Sequence, residues 1–249
     1  MRLLLTNDDG VDAPGLRALH DALRADCRRR AMHDAEIIVV APDRGRSECG
    51  HSITTGRPLH VEELQPNWFC LDGTPVDCVR VGLHLICPDA AAVFSGINAG
   101  ANVGVDLMVS GTFAAAREAA ILGWPAMAVS HYRRPDIAKT WDHCDRWLAP
   151  IWNAFWDAAD GNADANQPLW NVNLPAIDPE GPAPSVVECP IEQQPMPREG
   201  RLVRVKPDDP RQRVEMISQF HDRPRLQGTD IDQCFGGNIS LSRLQSTLR

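Results

Sequence analysis

Three short polar segments hold the residue types best suited to chemistry: Asn7-Asp8-Asp9-Gly10, Asp43-Arg44-Gly45-Arg46-Ser47 and Ser95-Gly96-Ile97-Asn98-Ala99-Gly100. Each follows an apolar run that reads as a strand, and the crevice outside the carboxyl ends of an open parallel sheet is where ligands bind. Together the segments offer carboxylates, a hydroxyl and a carboxamide, all hard oxygen donors. Such donors suit Mg²⁺, Mn²⁺ or Ca²⁺, whereas a zinc centre recruits His or Cys. Neighbouring residues of a regular strand point to opposite faces, so Asp8 and Asp9 can share one cation only if the chain bends. Gly10 makes that bend accessible, and a divalent ion would offset the repulsion between the two carboxylates. The plainer alternative is a pair of acids that ends a strand and starts a turn.

A second cluster follows, Gly96-Ile97-Asn98-Ala99-Gly100-Ala101-Asn102-Val103-Gly104 and then Ser110-Gly111-Thr112 at the start of a helix. Glycines let main-chain N–H groups approach an anion, and a helix N-terminus adds its unpaired donors and its dipole. Gly96, Gly100, Asn102, Ser110, Gly111 and Thr112, with Asn7 beside the carboxylates, are therefore candidate substrate contacts on a phosphate-binding reading. The competing reading makes Ser110 an ordinary N-cap. The pattern is neither a P-loop, since no Lys follows the last glycine, nor a G-x-G-x-x-G fingerprint. His51, four residues beyond Ser47, is a candidate general acid or phosphate donor, set against a loop histidine with a structural hydrogen bond. A Ser110 nucleophile lacks the G-x-S-x-G elbow.

The elements that must position these residues alternate. Residues 2–6 read as a buried strand, followed by a helix with Asp12 as N-cap and Pro14 in its first turn. Strands are expected at 36–41, 90–94 and 127–130, with helices at 75–86 and 112–122 between them. This alternation predicts an α/β fold with a mostly parallel sheet and helices on both faces. Residues 52–72 read as an inserted β-hairpin. Residues 136–157 read as a helix whose Trp141, Trp147 and Trp156 face the core. After Pro175 frequent prolines interrupt short extended runs, which predicts a core at 1–175 and a C-terminal β arm at 176–249 with a closing helix and strand. Val203, Val205, Val214, Met216 and Ile217 of that arm need burial, and a partner subunit is the expected place.

Across 249 residues, 43% are hydrophobic and 23% charged, a globular balance. A formal net charge of -8 gives no electrostatic footprint for duplex nucleic acid. The opening Met1-Arg2-Leu3-Leu4-Leu5 is too short an apolar run for a signal-peptide core or a membrane span, so a cytoplasmic protein without membrane partners is expected. Eight cysteines form no C-x-x-C pair, which argues against zinc ribbons and redox motifs.

Taken in order, these segments resemble the SurE (stationary-phase survival protein) family of 5'/3'-nucleotidases. The carrying residues are Leu4 to Gly10, Ala41-Pro42-Asp43 with Arg46-Ser47, Gly50-His51-Ser52-Ile53-Thr54, Gly73-Thr74-Pro75-Val76-Asp77-Cys78, Ser95 to Gly104, Ser110-Gly111-Thr112 and Asn171 to Pro175, with a weaker echo at Gly228-Thr229-Asp230. The resemblance covers nearly the whole chain. It implies a Rossmann-like core, an arm that mediates homodimers or homotetramers, and one divalent metal ion per subunit (Mg, Mn or Co) held by Asp8, Asp9, Ser47 and Asn98. It further implies hydrolysis of nucleoside monophosphates to nucleoside and phosphate, a phosphoric monoester hydrolase reaction, with Asp8, Asp9, Asn98 and His51 as the catalytic residues. The alternatives are a phosphomonoesterase or short-chain polyphosphatase of broader range, and a non-catalytic nucleotide-binding regulator. Two departures from the family pattern stand out: Val109, where relatives carry a larger aromatic residue or histidine, and an arm without the expected aromatic pair.

Overall fold

The computed structural model describes residues 1–47, 49–161, 167–203 and 212–246. In chain order these form β1 (Arg2–Thr6), α1 (Pro14–Arg29), β2 (Glu36–Pro42), β3 (Val61–Gln65), β4 (Trp68–Leu71), α2 (Pro75–Val81), β5 (Ala90–Asn98), α3 (Gly111–Ile121), β6 (Ala126–His131), α4 (Cys144–Asp160) and β7 (Leu169–Leu174). Then follow β8 (Val186–Glu188), β9 (Arg198–Val203), β10 (Arg213–Ser218), α5 (Asp230–Phe235) and β11 (Ile239–Leu244). Leu3, Leu4 and Leu5 of β1 are completely buried, with Leu3 and Leu5 in one apolar cluster and Leu4 in another. A strand buried on both faces is the signature of a covered parallel sheet.

Nine strands make that sheet in the order β3-β4-β2-β1-β5-β6-β7-β11-β8. β3 and β11 run antiparallel to their neighbours β4 and β7, and the other pairings are parallel. On one face Leu16, Leu19 and Leu23 of α1 pack with Trp147, Ile151, Trp152 and Phe155 of α4. On the other, Cys78 and Val79 of α2 pack with Phe113, Ala115, Ala116 and Ala119 of α3. The small side chains of α3 let it lie close to β5 and β6, which fixes where its N-terminus points.

Several elements differ from the sequence reading. Ala13, not Asp12, occupies the N-cap of α1 and makes no side-chain cap bond; Ala13 N donates to Gly10 O (3.1 Å), so the chain completes its turn before the helix starts. The inserted hairpin is present at 61–71 and also joins the main sheet. β4 pairs in parallel with β2, Val39 against Trp68, and extends the main sheet, while β3 forms an exposed edge. α4 begins at Cys144, eight residues later than expected, because the preceding segment is a loop. Arg133 Nη1 donates to Thr140 O (3.0 Å) and its guanidinium lies 3.9 Å from the Trp141 ring centroid. After residue 175 the chain returns to the sheet through β8 and β11, and only β9 and β10 form a separate antiparallel hairpin. Leu202, Val214, Met216 and Ile217 on that hairpin are exposed, and Val205 lies outside the described residues. Among the described residues no helix is long and apolar enough to cross a membrane, and the eight cysteines are free thiols.

At the end of β6 two buried histidines face one another, His131 Nε2 and His143 Nε2 being 2.7 Å apart. His131 Nδ1 donates to Tyr132 O (2.8 Å), which leaves its Nε2 as the acceptor and His143 as the donor. The arrangement requires the His131 ring to be neutral. Burial, with Arg133 nearby, pushes His131 down to about 3 and His143 to about 4. A histidine lowered on folding contributes stability that is fully present above its unfolded value of about 6.5 and is lost as pH falls toward the folded value. Urea unfolding is therefore expected to lose about 1–3 kcal/mol between pH 6.5 and 4.5 through this pair, and His143→Gln should flatten that slope. An equally steep slope in the variant would assign the acid sensitivity elsewhere.

Candidate active site

The strand order reverses between β2-β1 and β1-β5, and in an open parallel sheet such a switch point is where a ligand crevice forms. The first wall is shaped by Asn7, which is fully buried. Its Nδ2 donates to Gly10 O (2.8 Å) and its Oδ1 accepts from Gly10 N (3.3 Å). Gly10 adopts φ +106°, and a Cβ there would lie 3.1 Å from the Arg44 carbonyl carbon. This is the bend that two neighbouring carboxylates need. Asn7, expected among the substrate contacts, has both ends of its amide committed to the turn. The second wall is tied to the first where Arg46 N donates to Asp8 O (2.7 Å) and Val11 N to Pro42 O (2.8 Å).

Beyond the bend the two acids have different anchors. The Asp8 carboxylate turns to the N-terminus of α3, where the Thr112 hydroxyl donates to Oδ1. A Cβ at residue 111 would stand 3.0 Å from Asp8 Oδ2, so Gly111 is required for this approach. Asp9 Oδ2 accepts from Ala99 N (3.1 Å), just past β5. Asn98 Nδ2 donates to Gly100 O (2.7 Å). Ser47 is exposed and follows Arg46, whose main chain is fixed on Asp8. Asp8 and Asp9 thus each have one carboxylate oxygen anchored to the protein and the other left over, and Asn98 has its nitrogen anchored and its single amide oxygen left over.

The electrostatics suit a cation. Burial pushes Asp8 up to about 6, and the neighbouring Asp9 adds to the rise while Thr112 opposes it. Asp9 is also raised by burial, with the Ala99 N–H opposing. Arg44 and Arg46 pair instead with Asp43, at 3.2 and 2.6 Å. Among the described residues no three His, Cys, Asp or Glu gather as a metal cluster. The donor set is two carboxylates with a neutral amide and a hydroxyl, which fits a hard divalent ion and not zinc.

Other expected residues have structural partners. Gly96 lies where β5 and β6 lose register, between Ser95 and Asn98. Asn102 is a hub: its Nδ2 donates to Ser130 Oγ (2.8 Å), its N to Asn173 Oδ1 (2.8 Å), and its O accepts from Asn171 and Asn173 Nδ2 (both 3.0 Å). Ser110 Oγ accepts from Phe113 N (3.0 Å) and caps α3. The hydroxyls of Ser110 and Thr112 therefore serve the helix and Asp8, and the N–H groups of Ala99, Asn102 and Gly104 serve Asp9, Asn173 and Asp230, which leaves the main chain of Gly111, Gly100 and Ala101 for an anion. His51 has both ring nitrogens engaged, Nε2 with Glu118 Oε2 (2.8 Å) and Nδ1 with Arg117 Nη2 (2.9 Å). Glu118 and Arg117 escaped the sequence reading, although an acid inside the alanine-rich Phe113-Ala-Ala-Ala-Arg-Glu118-Ala-Ala run was a visible signal.

Comparison with known proteins gives a consistent picture. Residues 3–194 match the family model for the survival protein SurE. A chain from Synechocystis that bears a provisional 5'-nucleotidase name is 38% identical, with 98% of this chain and 100% of that one covered. The 5'-nucleotidase SurE of Geobacter metallireducens is 48% identical over 52% of this chain and 49% of its own. The crystal structure of the SurE protein from Aquifex aeolicus superposes with a TM-score of 0.81 at 28% identity, covering 100% of this chain and 95% of that one.

The strained carboxylate has a measurable signature. A carboxyl raised on folding from 3.8 to about 6 destabilises the fold above pH 6 and is relieved as pH falls toward 3.8. Asp8→Asn retains an acceptor for Thr112 and removes the charge. In chelator at pH 7 this variant is expected to be about 1–3 kcal/mol more stable than the parent chain, with the gain vanishing near pH 4. Equal or lower stability in a denaturant titration at pH 7 would show that Asp8 is not strained.

Proposed function

The chain belongs to the SurE family, and from that premise we propose that it hydrolyses nucleoside monophosphates at the crevice between the ends of β1, β2 and β5, with Asp8, Asp9, Ser47 and Asn98 as ligands of a divalent cation. The observation that carries this reading is the burial of the Asp8 carboxylate against the N-terminus of α3. It brings a cation-seeking pair of acids and an anion-seeking helix end to the same place. A bound divalent cation supplies Lewis-acid polarisation of a phosphoryl oxygen.

The protein's own groups do the rest. Thr112 and Ala99 N hold the inner oxygens of Asp8 and Asp9, so that the outer oxygens face the cation site without rotamer freedom to lose. The main chain at Gly111, Gly100 and Ala101 lies beside that site and is placed to receive the phosphoryl oxygens. Asn102 holds that loop on β6 and β7, so the loop is rigid before substrate arrives. The relatives named 5'-nucleotidase support the 5' position as the preferred one.

Assembly belongs to the same proposal. The β9–β10 hairpin projects Leu202, Val214, Met216 and Ile217 into solvent, and a second copy of the chain is the natural cover, as a dimer or dimer of dimers.

Inorganic phosphate should be released from a nucleoside monophosphate panel in Mg²⁺, Mn²⁺ or Co²⁺. Chelation should abolish release and re-addition restore it, because a site of oxygen ligands exchanges its ion readily. Full activity in chelator would sink the cation assignment, and faster turnover of non-nucleoside phosphomonoesters or short polyphosphates would redirect the substrate assignment. Light scattering should give the mass of a dimer or tetramer, and Val214→Glu with Met216→Glu should reduce it. A monomer mass for the parent chain at micromolar concentration rules this assembly out.

A further inference from the structure

Glu118 of α3 is an acid outside the proposed ligand set, and only 2% of its surface is exposed. Its Oε1 accepts from Arg80 Nε of α2 (2.5 Å) and its Oε2 from His51 Nε2 (2.8 Å). Arg117 approaches the other ring nitrogen, with Nε 3.1 Å and Nη2 2.9 Å from Nδ1. A guanidinium only donates, so Nδ1 is the acceptor and Nε2 carries the proton that Glu118 receives. The hydrogen bond from His51 and the nearby Arg80 hold Glu118 below the usual carboxylate range against the effect of burial. With both nitrogens engaged, His51 has none left for a substrate proton.

The segment that His51 anchors runs along the crevice. Cys49 Sγ lies 3.3 Å from the position of a Cβ on Gly111, the glycine that meets Asp8. Gly50 sits beside Met108 O. Further on, Ser52 O accepts from Thr74 Oγ1 (2.8 Å) and Thr54 Oγ1 donates to Asp77 (2.6 Å), which fixes that end to α2. The end nearer Ser47 is fixed to α3 by His51, and α3 is the helix that holds Asp8. We propose that Glu118, acting through His51, is a positioning residue that sets Ser47 relative to Asp8 across the cation site. The inference rests on the ligand set proposed above.

In Glu118→Gln one amide oxygen replaces a charged carboxylate shared by two donors, so the charge-assisted bond from His51 Nε2 is weakened or broken in either amide orientation while volume is kept. Calorimetric titration of the full chain with Mn²⁺ alone is expected to show roughly tenfold weaker binding in Glu118→Gln and in His51→Ala, the scale of a lost outer-shell partner. The double variant should bind no more weakly than either single one, because both act through one contact. In Glu118→Gln the loss of phosphate release should be largest at limiting Mn²⁺ and shrink as Mn²⁺ is raised, as a weakened ion site requires. Arg80→Met, which leaves the His51 contact in place, should lower the melting temperature and keep the Mn²⁺ affinity. It separates positioning from stability should Glu118→Gln fold poorly, and His51→Gln then tests the same link. Parent-like Mn²⁺ affinity in Glu118→Gln and His51→Ala, or losses that multiply in the double variant, would overturn the inference while leaving the cation site intact. A parent chain that fails to bind Mn²⁺ overturns the ligand set itself.

Discussion

A buried carboxylate without a cationic partner among the described residues, Asp8, is the constraint around which the rest of the structure is arranged. Burying an unpaired charge costs several kcal/mol unless donors surround it. Here the compensation is partial. The Thr112 hydroxyl, the first turn of α3 and its dipole draw the carboxyl back to about 6, while the two arginines of the neighbouring loop are drawn off by Asp43. In the proposed function a divalent ion would relieve what remains uncompensated, since anything that binds the folded state stabilises it by its binding free energy. On that proposal the site is built at the expense of the metal-free fold, which the close packing around β1 supports.

That packing explains why the site is where it is. β1 lies between β2 and β5 with α1 and α4 on one face and α2 and α3 on the other. The ends of all three strands are thus fixed by the two apolar clusters before any polar contact is made. The polar contacts then set fine position: Asn7 closes the turn, Arg46 N fixes the second loop on Asp8, and Asn102 binds the third loop to β6 and β7. Alanines in α3 bring its N-terminus within reach of Asp8, and Gly111 removes the last obstacle. The geometry of the crevice is accordingly a property of the core, and the loops inherit it.

The strands and the three polar segments were legible because their signals are local: β-branched or leucine runs ending in Asp, Asn or Gly. Asp8 and Asp9 were legible as a carboxylate pair at the end of the first strand, and the bend at Gly10 appears as expected. Less legible was what each hydroxyl and amide does. Thr112 reads as an anion donor in sequence, yet its partner is a carboxylate 104 positions away, and nothing local reveals such a pairing. His51 reads either as a general acid or as a loop histidine with a structural hydrogen bond, and the partners that give it the second character, Glu118 and Arg117, lie 67 and 66 positions on. The start of α4 was displaced because Arg133 folds onto Trp141, a contact that helical periodicity does not register. The signals that failed are the long-range polar ones, whose partners are chosen by topology.

Topology also decides how much of the chain the site needs. A division at 175 would separate the loops of the crevice from the C-terminal segment, yet that segment holds the third loop from behind. Asp230 Oδ2 accepts from Gly104 N (2.7 Å) and its Oδ1 from Glu192 N (2.8 Å). Arg223, buried against the same loop, donates to Asp106 (2.7 Å). Asp106 also lies 3.6 Å from Arg198 at the base of the exposed hairpin. A chain of contacts thus runs from β9 through Asp106 to the turn that precedes Ser110 and α3. In the proposed assembly a second copy seated on the hairpin would bear on these same contacts, so the proposed interface and the segment that leads into α3 share one set of residues.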